Sequence, residues 1–462
     1  MRGPDELAEL RRAAREIFAE ALADADAARA VRQSLRLEGA RLSIAGDVFD
    51  LGDAPAHVSG DAGARVSGDA RGRVYSVAFG KAAHAMASAL DSVLGERLAG
   101  GVLSAPATQA HATRLARWQT FAGGHPVPNE ESLLAARAAF ELLARADREG
   151  ALVVFLVSGG GSAMLEAPAD ARLTLEDLRD ANRALVGCGA SIAEINAVRR
   201  ALSSVKGGRL AARAPHAAQL SLVVSDVNKG EEANVASGPT YPAPDDAREA
   251  AEVLARYRLD ALLPPRIVRA VEGARARATP DDATGAPRKY QVLLDNERAV
   301  ERAARLARER GFAVEVARDL VEQDVSEGAR ALVARLVELR ARERDARGVC
   351  LVSGGEFACP VRGAGVGGRN SETALRCALE MEGGNLRMVA LSAGTDGVDG
   401  NSAAAGAFAD DMTVRRAHEL GLDARRFLDA SDAYTFFDAL GDALVTGPTG
   451  TNVRDLRIML AS

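Results

Sequence analysis

Short apolar runs that break into glycine, serine or aspartate recur along this chain, separated by longer stretches of helical periodicity. Val74–Phe79 opens into Gly80-Lys81, Val153–Val157 into Ser158–Ser162, and Leu220–Val224 into Ser225-Asp226. An apolar run without polar alternation marks a strand covered on both faces, and strands alternating with helices predict βαβ units in a parallel sheet. Between the last two strands, Ser191 and Glu194 have capping-box spacing. Ile192, Ile195, Val198, Leu202 and Val205 then form one apolar helical face, so Arg199 and Lys206 are expected to project toward solvent or a cleft. Upstream, Glu6 to Ala27 has the periodicity of an N-terminal helix packing on this domain, and Arg41–Leu51 that of a short strand pair.

The pattern changes around Gly273–Arg288, where Thr, Pro, Asp and Gly accumulate. A linker there divides the chain into a larger domain at 1–275 and a smaller one at 286–462. The second half repeats the α/β alternation: a strand at Gln291–Leu294, a helix at Glu297–Arg310 stopped by Gly311, a strand at Ala313–Val316, and a helix from Ser326. Strands at Met388–Ser392 and Leu444–Val445 lead into Gly394-Thr395-Asp396-Gly397 and Thr446–Asn452. In the polar 53–73 insert, Val-Ser-Gly-Asp-Ala occurs at Val58–Ala62 and again at Val66–Ala70, which reads as surface loop.

Composition narrows the class. With 462 residues, 47% hydrophobic and 26% charged, the chain can bury cores for two or three domains. Forty-five glycines and only 4% aromatic residues suit an α/β protein rich in strand-to-helix turns. A net charge of −6 argues against nucleic acid as the main partner. Cys188, Cys350, Cys359 and Cys377 lack Cys-x-x-Cys spacing, and neither a leader nor an apolar stretch of roughly 18 residues is present, so a reduced, cytoplasmic protein with no membrane partner is expected. Of the 58 basic residues, only Lys81, Lys206, Lys229 and Lys289 are lysines, and Lys81, after Gly80, and Lys206, before Gly207-Gly208, have the setting in which a compact ammonium meets phosphate.

Candidate chemistry gathers at the carboxyl ends of the strands, where open α/β sheets bind ligands. Leu-Val-Ser-Gly-Gly ends two of them, at Leu156–Gly160 and Leu351–Gly355. Ser158, Gly159, Gly160, Gly161 and Ser162 offer N–H donors and hydroxyls to a phosphate or carboxylate; a tight strand-to-helix connection is the alternative. Gly80-Lys81 is not a Walker A loop, since Tyr75 and Ala82 stand where that motif needs Gly and Ser or Thr. Lys81 is either a point cation for phosphate or a solvated surface lysine. Asp226 is placed to hold Mg²⁺ or accept a hydroxyl proton, or to cap a helix. Asp396 and Asp399 pose the same choice, with metal or nucleotide contact favoured by the glycines around them. Gly363–Gly368 satisfies G-x-G-x-x-G literally, but Pro360 in the preceding run argues against a buried strand, so the loop is read as an arm delivering Arg369 and Asn370 to phosphate.

Several motifs together resemble one family. Ser158–Ser162, Ile195-Asn196, Lys206–Arg209, Ser225–Val227, Ala236–Thr240, Val361–Gly363, Gly367–Asn370, Gly394–Gly397 and Thr446–Asn452 resemble, in family order, the glycerate 2-kinases with a C-terminal MOFRL domain. The resemblance implies a Rossmann-like N-terminal domain with a parallel sheet, a smaller MOFRL-type α/β domain, and an active site in the cleft between them. It implies transfer of the ATP γ-phosphoryl group to the 2-hydroxyl of D-glycerate, giving 2-phosphoglycerate, with Mg²⁺, in a monomer or homodimer. Lys81 and Arg369 match the family's catalytic lysine and arginine, and Asp226 its strand-end aspartate. Ser158–Ser162, Asn196, Lys206, Asn370, Asp396, Thr449 and Asn452 are the implied substrate and phosphate contacts, with Asp226 and Asp396 as metal ligands. Departures fall at Asn228–Asn234 and at Ser371, where the family usually has Gly-Asp-Asp-rich sequence and Gln. An NAD(P)H-dependent hydroxypyruvate reductase and a non-catalytic metabolite sensor are the competing functions.

Overall fold

The computed structural model describes residues 4–52, 57–59, 72–110, 115–242, 247–276 and 286–462. The Val66–Ala70 repeat, most of the 53–73 insert and residues 277–285 of the expected linker lie outside the described residues. The chain packs as two units, Ala27–Leu293 and Met1–Asp26 together with Leu294–Ser462. Each is an α/β assembly around its own six-stranded sheet.

In the Ala27–Leu293 unit, β1 (Leu35–Glu38), β2 (Arg41–Ile44), β3 (Asp47–Asp50) and β4 (His57–Ser59) form a small antiparallel sheet in chain order. The main sheet contains β5 (Val74–Phe79), β6 (Leu98–Ala105), β7 (Trp118–Ala122), β8 (Leu152–Ser158), β9 (Gln219–Val224) and β10 (Arg288–Leu294), in the order β10-β9-β8-β5-β6-β7. From β9 to β7 every pairing is parallel. Tyr75, Val77, Phe79, Val153, Phe155 and Val157 pack against Ala135, Ala136, Ala139, Leu143 and Ala146 of the helix Glu130–Arg148. The intervening Val74, Ser76, Ala78, Leu152, Val154 and Leu156 are equally buried, which is why these strands read as mostly apolar runs without polar alternation. Chain direction across the sheet reverses at β5, with β6 and β7 on one side and β8 and β9 on the other. The loops after β5 and β8 therefore part at a topological switch point.

The other unit contains β11 (Ala313–Val316), β12 (Val349–Ser353), β13 (Met388–Gly394), β14 (Gly406–Asp410), β15 (Ala443–Leu444) and β16 (Asp455–Ala461), in the order β11-β12-β16-β13-β14-β15. β16 runs antiparallel to both β12 and β13. The carboxyl ends of β12 and β13 and the start of β16 consequently share one edge of the sheet. Helices Val325–Arg342 and Arg369–Met381 cover one face, and Pro4–Asp24 and Asn296–Glu309 cover the other.

Three expected placements change. Leu10, Ala14, Ile17, Phe18 and Ala21 of the N-terminal helix pack with Val389, Leu391, Ile458 and Leu460, not on the 27–293 unit. That sheet face would otherwise expose a band of apolar side chains to water, and burying it draws the first helix across the domain boundary. The strand expected at Gln291–Leu294 is β10, which joins the first sheet beside β9, so the boundary falls after it and not at 275–286. The capping box at Ser191 and Glu194 forms, but the helix ends at Leu202 and Ile192, in its first turn, is 60% exposed.

Candidate active site

In the Ala27–Leu293 unit the loops after β5 and β8 are in backbone contact. Gly80 has φ +114°, and a Cβ on it would stand 2.4 Å from the Ser158 carbonyl oxygen, so no other residue fits without displacing the neighbouring strand. The Lys81 N–H donates to the Gly159 carbonyl (2.9 Å), and the Ala82 N–H to Ser158 Oγ (3.0 Å). Gly160 turns through φ +78°, and a Cβ there would lie 2.9 Å from the His125 ring and 3.3 Å from Lys81 Cγ. Lys81, Gly160 and His125 thus crowd one spot beyond the switch point. His125 was not a sequence candidate; the Gly123-Gly124-His-Pro run after β7 was its available signal.

The Ser158–Ser162 loop is less uniform than its sequence suggests. Ser158 is fully buried, its Oγ accepting from Ala82 and donating to the Phe79 carbonyl (3.4 Å), so it anchors the loop and is not presented to a ligand. Gly159 and Gly161 are also buried, while Gly160 and Ser162 are half-buried. Ser162 Oγ meets Ser237 Oγ at 2.8 Å, and Ser237 Oγ donates to Asn196 Oδ1 at 2.8 Å. Asn196, 3% exposed, therefore acts behind the surface.

Lys206 departs from its expected outward projection. It is 1% exposed, with its ammonium paired to the Glu166 carboxylate, which also accepts from Ser203 Oγ (2.6 Å) and the Ala167 N–H (2.9 Å). Burial pushes the Lys206 pKa down against the opposing pull of Glu166. The adjacent Gly207 and Gly208 donate to the Ser237 (3.2 Å) and Gly238 (2.7 Å) carbonyls, so the Lys-Gly-Gly motif holds the Ser237 turn from inside. Asp226 lies half-buried just past β9; the next helical turn begins at Glu232, so Asp226 is not its cap.

In the other unit, the shared edge of β12, β13 and β16 gathers the remaining candidates. Arg369 opens the helix Arg369–Met381. Its Nε donates to Asp455 Oδ2 (2.6 Å), and Nη2 reaches Asp455 Oδ1 (3.3 Å) and Glu356 Oε1 (2.6 Å). Burial opposes the charge, but Asp455 and Glu356 outweigh it and raise the Arg369 pKa. Two carboxylates thus fix one side of the guanidinium, and among the described residues Nη1 meets no acceptor. Asn370, expected to touch phosphate, is 2% exposed: Nδ2 donates to Asp455 (2.9 Å) and Oδ1 accepts from Ser392 Oγ (2.7 Å). Its place is in the support of Arg369.

Asp399 is likewise structural. Its carboxylate accepts from the N–H groups of Asn370 (2.9 Å) and Ser371 (2.8 Å) and from Ser371 Oγ (2.6 Å), capping the Arg369 helix from another loop. Burial holds its carboxyl above the usual range, against these three bonds. Asp396 is half-buried, with Oδ1 accepting the Val398 N–H (3.1 Å). The Thr446–Asn452 loop is pinned to it: the Thr449 N–H donates to the Asp396 carbonyl (3.2 Å) and Thr449 Oγ1 to the Thr395 carbonyl (2.6 Å). Asn452 is 7% exposed and accepts the Arg454 N–H at 3.4 Å. Sequence reasoning missed Arg457, a 1%-exposed arginine in β16. Its Nε donates to Ser353 Oγ (2.9 Å), Nη2 donates to the Gly354 carbonyl, and the guanidinium stacks 3.7 Å from the Phe357 ring. Burial lowers its pKa to about 10.

Donor chemistry suits Mg²⁺ held partly by substrate. Asp226 and Asp396 are each a half-buried carboxylate just past a strand end, and Mg²⁺ in kinases commonly takes one or two carboxylates with substrate phosphates supplying further oxygens.

Two family models match the chain, the domain of unknown function DUF4147 over residues 13–272 and the MOFRL family over 349–455. The chain is 35% identical over 385 residues to the D-glycerate 2-kinase of Thermotoga maritima, a match covering 83% of this chain and 89% of that one. It is 36% identical over 389 residues to a protein of Agrobacterium vitis named putative hydroxypyruvate reductase, covering 83% and 86%. The crystal structure of glycerate kinase from Thermotoga maritima superposes with a TM-score of 0.79 at 31% identity, covering 98% of this chain and 100% of that one.

Proposed function

The chain belongs to the glycerate kinase family that carries a MOFRL domain, and from that premise we propose that it transfers the γ-phosphoryl group of ATP to the 2-hydroxyl of D-glycerate, releasing 2-phosphoglycerate and ADP. The observation that carries the reading is the convergence of Lys81 with the Gly160 turn at the switch point of a parallel sheet. Phosphoryl transfer asks little covalent chemistry of a protein; it needs reactants held in line and charge on the transferring group neutralised.

In this reading the Lys81 ammonium neutralises phosphate charge as a point cation, and the Nη1 edge of Arg369 donates to the equatorial oxygens as charge spreads over them. Asp455 and Glu356 hold the guanidinium flat before the reaction begins, so its orientation adds no reorganisation cost at the transition state. Asp226 orients the attacking hydroxyl and accepts its proton. Asp226 and Asp396 are each a carboxylate that would hold Mg²⁺ beside substrate phosphate, and the ion would supply further neutralisation of the phosphates. A cytoplasmic setting belongs to the same reading; among the described residues no helix is long and apolar enough to cross a membrane.

Coupling product formation to enolase without phosphoglycerate mutase tests the reaction, because only the 2-phosphate gives a signal. ATP turnover with a silent coupling system would move the phosphoryl group to another hydroxyl. The name of the Agrobacterium relative motivates a parallel measurement, since oxidation of NADH by the pure protein with hydroxypyruvate would replace the kinase reading with a reductase.

A further inference from the structure

Ser162, Ser237 and Asn196 form a hydrogen-bond chain whose direction is fixed from its inner end. An amide oxygen can only accept, so Ser237 must spend its single hydroxyl proton on Asn196 Oδ1 (2.8 Å). With that proton committed, the 2.8 Å contact between the two serines can be made only by the proton of Ser162. Ser162 Oγ, half-buried at the outer end, is therefore left with lone pairs and no proton to offer. An oxygen in that state repels a phosphate or carboxylate oxygen and accepts from a donor.

The chain is held at some conformational expense. Ala236 and Ser237 both adopt left-handed backbone angles, φ +52° and +63°, which non-glycine residues seldom do even singly. Ser237 is 2% exposed, and the Gly207 N–H bonds to its carbonyl, so the unfavourable turn is fixed from behind at the position where one hydroxyl reaches both Ser162 and Asn196. The inner end also limits the chemistry. A carboxamide takes up no proton near neutrality, so the chain has no exit for one and Ser162 cannot serve as the base for the reacting hydroxyl.

We propose that Ser162 is a specificity-determining residue that accepts a hydrogen bond from the non-reacting hydroxyl of a dihydroxy acid, so that the site selects such acids over those bearing only the hydroxyl that is phosphorylated. This rests on the hydroxy-acid kinase reading and adds to it: the residue discriminates among acceptors and does not grip the anion. Polar sites built for a hydroxyl reject an analogue lacking it because their own polar group is then left unpaired.

The test measures D-glycerate and D-lactate, which lacks the 3-hydroxyl, as ligands of the full chain by calorimetry without ATP, and as substrates with ATP. The unaltered protein should bind glycerate about tenfold to a hundredfold more tightly than lactate. Ser162→Ala should raise KM for glycerate by a similar factor, leave KM for ATP unchanged and abolish the preference, while Ser162→Thr, which retains the hydroxyl, should restore it. Equal affinities in the unaltered protein, a rise in KM for ATP, or a preference surviving Ser162→Ala would each overturn the proposal. Calorimetry reads acid recognition independently of turnover, so glycerate selectivity without ATP consumption would refute the kinase reading and leave the Ser162 assignment standing.

Discussion

The Glu166–Lys206 pair gives the sharpest test of how the Ala27–Leu293 unit is held together. Replacing Glu166 with Gln keeps an oxygen for Ser203 and the Ala167 N–H but turns the rest of the amide into a donor facing an ammonium that is 1% exposed. Breaking one partner of a buried ion pair costs about 3–5 kcal/mol, whereas replacing both partners is often near neutral. At pH 7 the single variant should lose about 3 kcal/mol or more, roughly two decades in the folded-to-unfolded ratio. Glu166→Gln combined with Lys206→Met should regain most of it. Trp118, the single tryptophan, lies in β7 of this unit and is 7% exposed, so its fluorescence during urea denaturation reports this unit and not the other.

The same pair dictates a pH dependence. Burial already places the folded-state pKa of Lys206 below its ordinary 10.5, with Glu166 opposing the shift. Between the depressed value and 10.5 the unfolded chain binds the extra proton, so stability rises with pH through that window and falls as pH drops. Removing Glu166 deletes the opposing influence and widens the window downward. The deficit of Glu166→Gln relative to the unaltered protein should therefore shrink as pH climbs from 7 to 10, at a slope of up to about 1.4 kcal/mol per pH unit. A loss below about 1 kcal/mol at pH 7, or a deficit independent of pH, would refute a charged pair in the interior.

Arg369→Lys retains a cation for Asp455 and Glu356 but lacks the planar fork, and should lower kcat by about 10²-fold or more with little change in melting temperature; an active variant would remove Arg369 from the chemistry. Asp226→Asn should weaken turnover and raise the Mg²⁺ concentration required for half-maximal rate, and an unchanged titration would reduce Asp226 to a structural residue. Gly80→Ala should be destabilised by more than the roughly 1 kcal/mol typical of a glycine change at positive φ, because the Ser158 carbonyl must move as well. Cys359 and Cys377, whose pKa values are pushed up to about 12 chiefly by burial, should react with a thiol reagent at pH 8 only after unfolding.

Strands buried on both faces, such as β5, β8 and β9, were legible because only single small serines, Ser76 in β5 and Ser221 in β9, interrupt their apolar runs, and no polar alternation develops. β16 escaped notice for the opposite reason. Asp455 and Arg457 interrupt Asp-Leu-Arg-Ile-Met-Leu-Ala, although it lies at the centre of its sheet, and their charges are satisfied by Arg369, Ser353 and Gly354, which no local pattern reveals. The N-terminal helix was legible as a helix and illegible as a partner, since a stripe such as Leu10, Ala14, Ile17 and Phe18 specifies that something apolar must cover it and not which sheet will. Among the site candidates, residue type identified the right loops but not the exposed members. Ser158, Asn370 and Lys206 carry suitable chemistry and are each turned inward.

The two copies of Leu-Val-Ser-Gly-Gly show where that limit lies. In both, the serine is fully buried and the last glycine is left-handed, Gly160 at φ +78° and Gly355 at φ +81°. The pentapeptide thus encodes the same strand end twice. What differs is the neighbour across the sheet. Beside β8 stands a parallel strand whose own end brings Ala82 to Ser158 Oγ and Lys81 to the Gly159 carbonyl. Beside β12 stands the antiparallel β16, whose start brings Arg457 to Ser353 Oγ and the Asp455 N–H to the Gly355 carbonyl. One turn therefore presents a lysine backed by glycine, while the other, through Asp455 and Glu356, orients Arg369. Strand order, set by long-range burial, assigns the chemistry that the local sequence leaves open.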